Sequence, residues 1–253
     1  MSKDKKNKKT KKYWEMKMSA GSNNTADIYI YGDIVRYQWE ETDVTAAGFK
    51  KELDDLGEVD TINLYINSPG GSVFEGLAIY NMLARHKATI NVYVDALAGS
   101  IASVIAMVGT IHMPKNAMLM IHNPWNIVVG NAAELRKAAD DLDRIGNSSV
   151  QSYLQKAGDK LTEESLQELL DAETWLSADQ ALSYGLCDVV LEENQMVASI
   201  SDEFLERYKN VPEKLKKPEQ RAGISAEELV MRQQIADAAK SNKSYLDVYL
   251  GGI

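Results

Sequence analysis

The 253-residue chain contains one cysteine, Cys187, which excludes an internal disulfide and any thiolate metal cluster. It sits in an apolar, strand-like setting, Leu186-Cys-Asp-Val-Val-Leu191, that suits core packing. Long apolar runs are also missing, and no stretch approaches the roughly 18 continuous apolar residues of a membrane span. The N-terminal lysines are followed by no apolar segment of the kind a secretory signal carries, so a cytoplasmic location is expected. Histidine is scarce at three residues, which leaves three candidates for a side chain that titrates near neutral pH. No glycine turn ends in Gly-Lys-Ser/Thr or carries the spaced glycines of nucleotide fingerprints. No cofactor and no metal are expected.

Positive charge is short outside the first residues. Lysine and arginine number 28 against 37 acids. Seven lysines and Asp4 give residues 1–12 a net of +6, which leaves −15 on the rest. That basic run is either a solvated leader or an arm that touches nucleic acid or an acidic partner. The acidic body argues against nucleic acid as the main partner. Apolar content of 45% with 26% charged residues describes a globular chain long enough for one sizeable domain with appendages.

The central stretch runs from Asn91 to Gly109. Val92 and Val94 alternate with Asn91, Tyr93 and Asp95 as a strand would have them, and Ile101 to Val108 is apolar except for Ser103. Ala98-Gly99-Ser100 therefore falls on a sharp strand-to-helix turn, which can present a serine hydroxyl beside a free backbone N–H. Ser100 is the candidate nucleophile, and the competing reading is that Gly99-Ser100 merely caps a core helix.

Around this stretch, strands are expected over residues 26–36, 60–66, 110–113 and 117–121, and helices over 43–57, 73–86, 132–156 and 162–171. Their alternation predicts an α/β fold with a mostly parallel sheet and right-handed crossovers. Three regions follow: a Lys-rich flexible leader (1–24), a catalytic domain (25–192), and a linker with a helical C-terminal extension (193–253). In the extension, residues 202–209 suggest a short helix, Ser225-Ala-Glu-Glu228 opens another as a capping box, and Tyr245 to Leu250 is apolar enough to dock.

Ser100 needs a base. His86 ends a helix and His112 lies within a short strand, whereas His122 closes the strand 117–121 at its carboxyl end, the edge where open α/β sheets build sites. For the acid that orients the imidazole, Asp171 is favoured, with Glu173 and Asp95 as competitors. The turn Pro69-Gly-Gly-Ser72 leaves backbone N–H groups for a substrate carbonyl. A Cβ at Gly71 is expected to spoil that function while sparing the fold.

Four stretches, Ile66-Asn-Ser-Pro-Gly-Gly71, Ala98-Gly-Ser-Ile101, Met120-Ile-His-Asn-Pro124 and Leu176 to Asp188, resemble successive signatures of the proteolytic subunit of the Clp protease. The intervals of 29 residues from Gly71 to Ser100, 22 to His122 and 49 to Asp171 suit that pattern. The resemblance covers about residues 25–192. It implies a crotonase-like ββα superhelix, a triad of Ser100, His122 and Asp171, and an oxyanion hole from Gly71 and Ile101. Gly70 and Ile127, Val128 and Val129 would bind substrate. It also implies serine endopeptidase activity and self-association into heptameric or tetradecameric rings through the long helix from Ala132, with an ATPase as a further partner.

Three features resemble the phage and prophage branch, the head maturation or prohead proteases that trim capsid or scaffold proteins. These are the Lys-rich leader, Lys12-Tyr-Trp-Glu-Met16 in place of an apolar N-terminal segment, and about 60 added C-terminal residues. The location is then a bacterial host's cytoplasm. Competing readings are an ATPase-dependent general degradation subunit, a crotonase-type acyl-CoA enzyme, and a non-catalytic shell protein. The related signal-peptide-peptidase type would need a lysine base and a membrane anchor, and no lysine lies between Lys87 and Lys115.

Overall fold

Alternating apolar residues build the central sheet: Ile28 and Ile30, Ile62, Leu64 and Ile66, and Val92 and Val94 are all fully buried on one face. A computed structural model describes residues 14–19, 24–37, 44–193 and 207–212. The elements are β1 (Trp14–Met18), β2 (Thr25–Ile34), α1 (Ala46–Leu56), β3 (Thr61–Gly71), α2 (Val73–Ala84), β4 (Thr89–Gly99) and α3 (Ile101–Ala106). Then come β5 (Thr110–Pro114), β6 (Met118–Ile121), α4 (Ala132–Ala157), α5 (Glu163–Asp171), β7 (Thr174–Ser177), α6 (Ala178–Ser183) and β8 (Val189–Leu191).

The strands form one sheet in the order β1-β2-β3-β4-β5-β8. From β2 onward the pairs on this path are parallel, while β1 runs antiparallel to β2. β4 forks. Its residues 91–93 pair with β5, and Leu97 to Gly99 pair instead with β6, which in turn pairs antiparallel with β7. The fold is α/β with a mixed, mostly parallel sheet, as expected.

Local signals explain the boundaries. Thr45 caps α1 by accepting from Gly48 N, and Gly57 ends it in a positive-φ conformation. α3 is buried along its whole length, as its apolar sequence requires. On the sheet's other face, Tyr29, Tyr65, Tyr93 and His112 stack in a ladder with centroids 4.7–5.1 Å apart, which covers the strands without a helix. Cys187 is buried in the core.

Several expectations changed. The region assigned to a flexible leader contains β1, and the strand expected over 60–66 runs on through the glycine turn to Gly71. β7 and α6 were not foreseen. Residues 127–129 form no strand and are exposed. The chain divides into compact units Met1–Pro212 and Glu213–Ile253, and the second unit, on which the expected capping box and apolar tail fall, lies outside the described residues, as do the whole lysine run and residues 202–206. No helix among the described residues is long and apolar enough to cross a membrane.

Leu64, fully buried mid-strand in β3, tests the packing. Leu64→Ala should lower stability by about 2–5 kcal/mol, read from urea denaturation, and a loss below about 0.5 kcal/mol would contradict its placement.

Candidate active site

The fork in β4 aims its last residues away from β5 and toward β6, and Ser100 follows at once. Its N–H donates to the Met120 carbonyl at 2.9 Å, which ties the turn to β6. Its backbone is strained, with φ 52° and ψ −127°, a conformation that costs about 1–3 kcal/mol outside glycine and often marks functional turns. His122, one residue past β6, arrives beside it, and its Nε2 lies 2.8 Å from Ser100 Oγ. The structure thus brings together the two side chains that the sequence proposed as nucleophile and base. The other histidines lie elsewhere: His86 Nδ1 accepts from Ala88 N, and His112 stacks on Tyr93. Ser103, one turn further on, is buried and held between the Ser100 carbonyl and the Tyr153 hydroxyl, each at 2.6 Å.

The acid is placed differently from the expectation. Asp171 ends α5 on the exposed side, and its Oδ1 accepts from Asn123 Nδ2 at 2.6 Å and Gln167 Nε2 at 2.7 Å. Glu173 instead turns inward, with Oε2 3.9 Å from His122 Nδ1 and both side chains nearly buried. Strand register is the cause. β6 and β7 pair Ile121 with Thr174, so the next antiparallel step sets His122 opposite Glu173. At φ 49° Glu173 is the second strained non-glycine residue among those described. The 3.9 Å separation is an ion-pair distance, and catalytic hydrogen bonds often tighten only in the Michaelis complex. Asp95, the other competitor, takes the Tyr31 hydroxyl hydrogen bond.

The glycine turn closes the site from β3. Gly70 donates to Ser68 Oγ, which in turn donates to the Gly32 carbonyl. A Cβ on Gly70 would lie 2.7 Å from Ser100 Cβ, and one on Gly71 would lie 2.1 Å from the Ile34 carbonyl oxygen. The expectation that a side chain at Gly71 spares the fold is therefore corrected, because it would collide with the backbone of β2. Ile101 follows Ser100 as the first residue of α3, where a helix leaves N–H groups without intrahelical partners. Gly71, Ser100 and His122 line one cavity of about 200 Å3, with Trp125 and Tyr208 on its wall. No motif or periodicity pointed to Tyr208. Ile127, Val128 and Val129 do not line it.

Burial pushes the His122 pKa down, Glu173 pulls it up, and Lys209 pushes it down, with a net lowering. That balance favours the neutral imidazole, the form able to accept a proton. No group of three or more metal-ligating side chains occurs among the described residues.

A Clp protease family profile matches residues 32–194. The chain belongs to the Clp protease family. The ATP-dependent Clp protease proteolytic subunit 1 of Protochlamydia amoebophila is 31% identical over 153 residues, 58% of this chain and 72% of that protein. The ATP-dependent Clp protease proteolytic subunit of Porphyromonas gingivalis is 31% identical over 160 residues, 60% of this chain and 71% of that protein. That from Ligilactobacillus salivarius is 29% identical over 192 residues, 72% and 96%.

Membership of a serine peptidase family makes the His122 balance measurable. A base must be neutral to act, so kcat/KM should rise with pH through the His122 pKa, with a midpoint below the ordinary imidazole value of about 6.5. Glu173→Gln removes the influence that raises this pKa and should move the midpoint lower still. A midpoint above about 6.5 in the wild-type chain would contradict the dominance of burial.

Proposed function

We propose that the chain is a serine endopeptidase that works through Ser100, His122 and Glu173. The observation that carries this reading is the 2.8 Å contact between Ser100 Oγ and His122 Nε2 at a strained turn. Ser100 Oγ attacks the scissile carbonyl while His122 Nε2 takes its proton. The oxyanion is received by the N–H groups of Gly71 and Ile101, since Gly70 N–H is engaged with Ser68. His122 then protonates the leaving amine, the acyl-enzyme forms, and water activated by the same imidazole releases it. Glu173 stabilises the imidazolium and holds its orientation. A crotonase-type acyl-CoA enzyme would need neither Ser100 nor His122, and a non-catalytic shell protein would have no use for their paired geometry.

The same reading has the active form as a closed ring of seven subunits, single or doubled. α4 supports it: Val150 and Tyr153 in its second half are buried, whereas Leu135 in the first half is left 46% exposed. Contacts that repeat head to tail and close would cover that half. The Lys-rich leader and the C-terminal extension favour a phage or prophage head maturation protease acting on capsid or scaffold proteins. The relatives' description as ATP-dependent proteolytic subunits favours a second reading, general degradation with an ATPase partner.

Ser100→Ala and His122→Ala should each lower peptide cleavage by about 10⁴-fold or more. Glu173→Gln should lose on the order of 10⁴ as well, while Asp171→Asn stays near wild type; the reverse order would return the acid to Asp171. Mass measurement in solution should give a ring, and a stable monomer at full activity would end that part of the proposal. Specific trimming of a co-expressed capsid or scaffold protein without ATP supports the maturation reading, and ATP-dependent degradation of unfolded protein supports the other.

A further inference from the structure

Residues 193–253 read from sequence as linker and extension, yet Arg207–Pro212 lies against the candidate active site. The Tyr208 hydroxyl donates to the Pro69 carbonyl, and its ring meets His122 and Trp175 edge-on at 5.8 and 5.4 Å. Burial raises the Tyr208 pKa, so the hydroxyl keeps its proton and remains a donor. Arg207 Nη1 pairs with Asp33 Oδ2 at 2.6 Å, and Val211 is buried. Asn210 makes the contacts of greatest chemical consequence. Its backbone N–H donates to Glu173 Oε1 at 2.7 Å, and its Nδ2 donates to the Ala172 carbonyl at 2.8 Å.

A carboxylate has two oxygens, and in Glu173 they are divided: Oε2 faces His122 while Oε1 is held by Asn210. A backbone donor cannot rotate away as a side chain can, and a bond to a charged acceptor is among the stronger kinds. The positive-φ backbone of Glu173 persists only where its surroundings hold it, and the Asn210 side chain grips the residue just before it. The contacts of the segment run to the wall of the cleft, and a cavity lined by both Ser100 and Tyr208 remains.

We propose that Arg207–Pro212 is a cis-acting positioning element of the active site, with Asn210 as the positioning residue that fixes the Glu173 carboxylate toward His122. The proposal rests on the Ser100, His122 and Glu173 reading above. It makes a short segment beyond the family-matched region, which ends at residue 194, necessary for full catalytic rate.

The test uses the full-length chain, with Asn210→Pro, which removes the N–H, and Asn210→Ala, which keeps it. Each is made in the wild-type and Glu173→Gln backgrounds, with kcat and KM measured on a peptide and folded sites counted by fluorophosphonate uptake. Asn210→Pro should lower kcat about 10- to 100-fold, the range for groups that orient a functional residue, with KM within about twofold. Asn210→Ala should retain most of the rate. In the Glu173→Gln background, Asn210→Pro should cost nothing further, because it acts through that carboxylate. An undiminished loss there, equal rates for the proline and wild-type chains, or a rise in kcat on loosening the segment would each overturn the proposal. The last result would make the segment a plug. Should Asn210→Pro fail to fold, Val211→Ala, which loosens the buried anchor of the segment at a residue that does not line the cavity, takes its place under the same criteria. A wild-type chain that takes up no fluorophosphonate removes the Ser100 reading, and this proposal with it, a result distinct from the others.

Discussion

One backbone hydrogen bond, from Ser100 N–H to the Met120 carbonyl, decides where everything else in the site can go. β4 leaves β5 after Tyr93 and pairs again with β6 from Leu97, and this bond seals the second pairing at its end. Because β6 runs parallel to β4, its carboxyl end emerges on the same edge, and His122 reaches Ser100 without a long loop. The glycine turn of β3 lies on the other side of Ser100, packed so closely that neither Gly70 nor Gly71 has room for a Cβ. The strained φ of Ser100 is the cost of ending a strand, starting a buried helix and facing a base at one residue.

The second constraint is the antiparallel step from β6 to β7. It is a four-residue pairing, yet its register alone places Glu173 opposite His122. The resulting electrostatics are a balance of opposed effects. Burial disfavours the imidazolium, the Glu173 carboxylate favours it, and Lys209 opposes it from the far segment. A base that is neutral at rest and charged in the transition state needs such a balance, because a stronger carboxylate effect would protonate it before substrate arrives.

Much of this was legible in the chain. The alternation at Ile62, Leu64 and Ile66 and at Val92 and Val94 announced strands, the succession of strands and helices announced a parallel sheet, and the small and apolar run after Ser100 announced a buried helix. Ser100 and His122 could be paired because each follows the carboxyl end of a strand, a property of local pattern. The acid could not be chosen that way. Asp171 and Glu173 are two residues apart in sequence, and only the register of β7, too short to stand out beside α5, separates the one that faces solvent from the one that faces the imidazole. The role given to Asn210 left no trace either, since its contact with Glu173 uses the backbone N–H, which any residue but proline carries.

The central claim is that Ser100 Oγ, activated by His122, is the nucleophile. Peptide mapping by mass spectrometry of the chain inactivated with a fluorophosphonate tests it most directly. The account predicts a single stoichiometric adduct on Ser100, formed at a rate that rises with pH through the His122 pKa. An adduct on Ser103, or inactivation with Ser100 unmodified, would contradict it.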